Sequence, residues 1–135
     1  MKSIEKWSIG DSRSMKRIAT REIIQLLAEA SGDYNPIHLD TEYAEGTRFK
    51  RCIAHALFCL GMISNLIGMQ IPGEGAIFLN EKVDYLAPVY IDDEIEAIVG
   101  IENINEEKEL LQLTFKCINQ EGRLVLVGET EVKII

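Results

Sequence analysis

Across residues 52–73 the chain carries no Asp, Glu, Lys or Arg, and Leu, Ile, Met and Phe recur through the whole stretch. A segment this apolar must be hidden from water, either in a bilayer or as the buried helix of a folded domain. His55, Ser64, Asn65 and Gln70 interrupt it, and Gly61 and Gly68 lower its apolar character further. The reading is therefore a buried helix over residues 55–69, stopped by Pro72-Gly73-Glu74-Gly75, and not a membrane span.

Something must cover that helix. With 135 residues, 47% hydrophobic and 27% charged, the chain has material for one domain with one core, and it shows no repeat, linker or low-complexity tract. Residues 12–19 read as a short strand. Thr20 is placed to cap a helix over 22–30, where Ile23, Ile24, Leu26, Leu27 and Ala30 keep helical spacing. Past Gly75 the pattern changes to strands over 76–85, 94–105, 110–118 and 124–134. In the second of these, Ile95, Ala97, Val99 and Ile101 alternate with Glu94, Glu96, Ile98, Gly100 and Glu102. The expected architecture is α+β: an antiparallel meander wrapped around one long apolar helix.

Between the first helix and the apolar one lies Ala30-Ser31-Gly32-Asp33-Tyr34-Asn35-Pro36-Ile37-His38-Leu39-Asp40. Gly32 suits the left-handed residue that closes a helix, and Pro36 pushes Asn35 toward extended backbone, so the stretch is expected to be non-helical. That brings Asp33 within reach of His38, one of only two histidines. On the residues alone this is foremost a helix cap and a turn, with Asn35 bracing the loop and Asp40 capping a short helical turn through Tyr43 and Ala44. His55 at the next helix start reads as packing or capping, and Ser64 as bonded to a carbonyl one turn back. A metal site built from Asp33, His38, Asp40 and His55 is conceivable, but no spacing requires one, and neither metal nor other cofactor is expected.

Charge narrows the partners. Asp and Glu outnumber Lys and Arg by 22 to 14, and a net charge of −8 disfavours nonspecific attraction to nucleic acid or anionic membrane. An anionic ligand needs a local basic patch, and Arg48, Lys50 and Arg51 form the densest one, which reads equally as a solvated loop. Cys52, Cys59 and Cys117 are odd in number and lack paired metal-ligand spacing, as expected of reduced, mostly buried thiols in a cytoplasmic protein. The first seven residues hold no apolar run of signal-peptide length, so secretion is not expected.

Ser31-Gly32-Asp33-Tyr34-Asn35-Pro36-Ile37-His38, then Asp40, Tyr43-Ala44, Phe49 and Ile53-Ala54-His55-Ala56, together resemble the signature of the MaoC-like, (R)-specific enoyl-CoA hydratases. Tyr85-Leu86-Ala87-Pro88-Val89 is similar as well, and the resemblance runs over nearly the whole chain. It implies a single hotdog domain over residues 1–135, reversible hydration of trans-2-enoyl-CoA to (R)-3-hydroxyacyl-CoA, and a homodimer. By the same resemblance Asp33 and His38 are the catalytic pair, the backbone N–H of Ala56 binds the thioester carbonyl, and Asn35, Ser64 and His55 support the site. Two positions depart from the family pattern: Ala56 stands where glycine is usual after the histidine, and Asp92-Asp93 where Gly-Asp is favoured. Related readings are a 3-hydroxyacyl dehydratase acting on acyl carrier protein and a noncatalytic acyl-CoA-binding hotdog protein. A hotdog thioesterase would carry an acid on or near the central helix, and this helix has none.

Overall fold

The computed structural model describes residues 3–135. The reading of Met1 and Lys2 as part of a charged N-terminus lies outside them, and Ser3–Lys6 forms a 3-10 turn. Strand β1 (Ser12–Ile18) leads into helix α1 (Arg21–Ser31), followed by the one-turn helix α2 (Pro36–Leu39), α3 (Thr41–Glu45) and the long α4 (Ala56–Met69). Four strands complete the chain: β2 (Ala76–Tyr85), β3 (Glu94–Asn105), β4 (Leu110–Ile118) and β5 (Leu124–Ile134).

Local chemistry places the ends. The Thr20 hydroxyl accepts from the Ile23 N–H at 3.2 Å to open α1, and Gly32, at φ 78°, donates its N–H to the Ala28 carbonyl to close it. Asp40 Oδ1 accepts from the Tyr43 N–H at 3.0 Å and opens α3. The expectation of non-helical backbone through His38 is corrected by α2. Proline needs no N–H at the first position of a helix, and the Asn35 side chain accepts from the Ile37 N–H at 3.3 Å to cap that turn.

The five strands form one antiparallel sheet in the order β1-β3-β4-β5-β2. Only β3, β4 and β5 are a meander; β2 pairs with β5 at one edge and β1 with β3 at the other, so the expectation of a simple meander is corrected. The inner face carries Ile95, Ala97, Val99 and Ile101 of β3 opposite Cys117, Phe115 and Leu113 of β4. An irregularity between Ile101 and Asn103 shifts the period, so that Ile104 pairs with the buried Leu111. Phe58, Cys59, Met62, Ile63, Leu66 and Ile67 of α4 are buried against this face. Each such large side chain contributes about 1.5–3 kcal/mol relative to an exposed one.

The helix is not wrapped on all sides. Leu57, Gly61, Ser64, Asn65 and Gly68 form an exposed stripe at helical spacing, because the sheet covers only one flank. Among the described residues, no helix is long and apolar enough to cross a membrane. Together these features form the hotdog arrangement: one apolar helix lying on a curled antiparallel sheet.

Candidate active site

The turn after α1 aims the Asp33 carboxylate. Ser31 Oγ donates to the Leu27 carbonyl at 2.6 Å and accepts from the Asp33 N–H at 3.0 Å, while the Asn35 N–H donates to Asp33 Oδ1 at 3.1 Å. These local bonds leave Oδ2 facing His38 Nε2 at 3.7 Å. Asn35 thus braces both members of the pair: its backbone orients Asp33, and its side chain caps the turn that carries His38.

His38 is buried, and its Nδ1 donates to the Ile53 carbonyl at 2.7 Å. Ile53 in turn donates its N–H to the Ile37 carbonyl at 3.2 Å, so one residue grips α2 from both sides. Burial lowers the His38 pKa, more than the carbonyl bond to Ile53 offsets it; nearby His55 adds to the lowering and Asp33 opposes it. The imidazole therefore rests neutral near pH 7, with its proton on Nδ1 and a lone pair on Nε2. Nε2 and Oδ2 are then both acceptors, and 3.7 Å is too long for a hydrogen bond between them. A donor with two hydrogens, such as water, satisfies both at once.

His55 binds this pair to the apolar helix. Its ring stacks on His38 with centroids 3.8 Å apart, and its Nε2 donates to the Asp33 carbonyl at 2.9 Å, leaving Nδ1 buried without a hydrogen-bond partner. As N-cap of α4 it is followed by Ala56, the first helical residue, whose N–H finds no acceptor among the described residues. That N–H and the positive end of the helix are available to an oxygen that gains negative charge.

A cavity of about 370 Å³ opens against this helix start and is lined by His55, Ala56, Cys59, Tyr85, Leu126 and Arg48 among others. The methyl group of Ala56 occupies part of the room that a glycine would leave beside the N–H. A smaller depression of about 150 Å³, edged by Glu102, Glu129 and Glu131, includes none of the pair or the helix start.

The structure thus brings together Asp33, His38, Asn35, His55 and Ala56. Ser64 stands apart, exposed about 12 Å further along α4, with no hydrogen bond to any of them, and the expected bond to a carbonyl one turn back is not formed. Among the described residues, Asp33, His38 and His55 are the group that could hold a metal, each offering one ligand atom within 4.8 Å of the others; Asp40 is occupied as a helix cap. Backbone carbonyls engage Nδ1 of His38 and Nε2 of His55, which leaves Nε2 of His38 and Nδ1 of His55 as the uncommitted nitrogens of that group. Ser31 and the Ile53 carbonyl are site elements that sequence reasoning passed over. Ser31 was legible as the residue before Gly-Asp; the carbonyl, 15 positions from His38, carried no signal.

Fold and site together define a hotdog domain with a carboxylate–imidazole pair beside a helix N-terminus. The chain belongs to the MaoC-like family: its residues 8–119 match the MaoC like domain. It is 36% identical over 123 residues to an (R)-specific enoyl-CoA hydratase of Aeromonas caviae, an alignment covering 91% of each chain. A second (R)-specific enoyl-CoA hydratase, from Rhodospirillum rubrum, is 35% identical over 93% of this chain and 86% of its own. The solved (R)-hydratase of A. caviae involved in PHA biosynthesis superposes with a TM-score of 0.93 at 31% identity, covering 97% of this chain and 99% of that one.

Proposed function

We propose that this protein is an (R)-specific enoyl-CoA hydratase, adding water reversibly to trans-2-enoyl-CoA, with Asp33 and His38 as the catalytic pair. The observation that carries the reading is the 3.7 Å gap between His38 Nε2 and Asp33 Oδ2, both acceptors, next to the unpaired N–H at the start of α4. A water held across the gap loses a proton to the pair as its oxygen attacks the β-carbon. Electron density moves through the double bond to the thioester oxygen, where the Ala56 N–H and the helix dipole stabilise it. The enolate then collapses and takes the proton from the pair at the α-carbon, so that one water supplies both the hydroxyl and the hydrogen. Both arrive from the side on which the pair sits, making the addition syn. Acid–base catalysis of this kind is worth about 10²–10⁴-fold.

The protein works as a homodimer. The support is the edge strand β2, which exposes Ile77, Phe78 and Leu79, together with the exposed stripe of α4. Placement in the cytoplasm is supported by three buried free thiols.

The test is to mix the purified protein with crotonyl-CoA, follow loss of the conjugated thioester absorbance and determine the product's configuration. An (R)-3-hydroxybutyryl product is expected, with turnover abolished in folded Asp33→Asn and His38→Ala variants. An (S) product, release of free CoA or no turnover would refute the activity, and near-normal rates in either variant would refute the assigned pair.

A further inference from the structure

The loop entering α4 concentrates positive charge in an acidic protein: Arg48, Lys50 and Arg51 fall within four positions of a chain with net charge −8. Among the described residues none of the three forms an ion pair, despite 22 carboxylate side chains. Two are held by aromatic rings instead. Arg48 Cζ lies 5.0 Å from the Phe49 ring centroid and Arg51 Cζ 4.1 Å from that of Tyr90. A guanidinium resting on a ring face keeps its N–H donors free at its edges.

The loop itself is braced. Thr47 Oγ1 donates to the Ala44 carbonyl at 2.7 Å and accepts from the Phe49 N–H at 3.2 Å, and Lys50 turns the chain at φ 66° while its N–H bonds the Thr47 carbonyl. Arg48 therefore sits on a fixed turn. Among the described residues it is also the one charged side chain lining the cavity that holds Ala56 and His55, and none of the residues lining that cavity is a carboxylate. The neighbouring depression that includes Lys50, Arg51 and Arg21 also carries Glu45 and Asp92, which compete for its cations.

We propose that Arg48 binds a phosphate of the coenzyme A moiety and thereby makes the nucleotide end of the substrate a determinant of selection. The inference rests on reading the site as an enoyl-thioester hydratase. A thioester with its carbonyl at Ala56 must pass its carrier arm out of the cavity, and Arg48 is the cation on the cavity wall. The overall field of the protein repels a polyanion, so a local, unpaired guanidinium with bidentate geometry is what makes such a ligand acceptable.

Steady-state rates with crotonyl-CoA and with crotonyl-pantetheine, which lacks phosphate, separate the possibilities. Wild-type protein is expected to prefer the CoA ester. Arg48→Gln should raise KM for crotonyl-CoA roughly tenfold or more with kcat little changed, collapsing the preference ratio, and Arg48→Lys should fall between because it keeps the charge and loses the fork. An equal loss on both esters, an unchanged KM for crotonyl-CoA, or a wild-type preference for crotonyl-acyl carrier protein would each overturn the role of Arg48 while leaving the hydratase standing. Failure of wild-type protein to turn over either ester would overturn the hydratase reading and this inference together.

Discussion

Ala56→Pro is the substitution that most cleanly separates the helix start from the rest of the site. Ala56 is the first residue of α4, where the backbone N–H has no role in the helix and proline's fixed φ is already helical. The residue before a proline must be extended, and His55 already is, with φ −59° and ψ 150°. Ala56 is also exposed, leaving room for the ring. The fold should therefore be kept, and the narrower unfolded ensemble should add about 0.4–1 kcal/mol of stability. What disappears is the N–H assigned to the thioester oxygen. Loss of one such donor costs about 10²–10³-fold in kcat, equivalent to roughly 2.7–4 kcal/mol of transition-state stabilisation. Ala56→Gly is the control, since it retains the N–H and should stay within a few-fold of wild type. The assay is crotonyl-CoA hydration alongside a thermal melt. An Ala56→Pro protein with an unshifted or raised melting temperature and near wild-type kcat would refute the assignment of this N–H.

The pH dependence of kcat/KM follows from His38. The free base at Nε2 is the active form and burial lowers its pKa, so activity should fall on the acid side with a midpoint below the ordinary value of about 6.5. A midpoint above that value would contradict the neutral resting state. Because the folded value lies below the unfolded one, the group's contribution to stability is present above about pH 6.5 and is lost as pH falls through the folded value, which a melt series would show. Gly128→Ala tests the sheet: a Cβ there would stand 2.5 Å from the Lys82 carbonyl oxygen and 2.5 Å from the nearest Phe115 ring carbon. Overpacking of this kind typically costs about 1–3 kcal/mol, a loss of several degrees in melting temperature, and an unchanged melt would refute the close approach.

Features set by near neighbours in the chain were legible in the sequence. The caps at Thr20 and Asp40, the left-handed close at Gly32 and the alternation in β3 each depend on side chains a few positions apart. The turn at α2 was misread because the restriction on Asn35 was given more weight than proline's fitness to start a helix. Strand order was not legible: only residues 86–93 separate β2 from β3, yet β2 lies beside the distant β5, because pairing is decided by how the whole sheet covers α4. The same holds for Ser64, whose place on the exposed stripe depends on which flank of α4 the sheet covers. Asp92 has a local explanation once its backbone is seen. It adopts φ 75°, the left-handed region where the family's glycine is at ease and where Asp is among the better-tolerated alternatives.

The central claim is that Asp33 and His38 act on one water and deliver both of its parts from one side. Hydration of crotonyl-CoA in D₂O, followed by assignment of the relative configuration at the α- and β-carbons by NMR, tests that directly. The account predicts a single deuterium at the α-carbon, syn to the new hydroxyl, with (R) configuration at the β-carbon. Anti addition, or a mixture at the α-carbon formed during the first turnover, would contradict it.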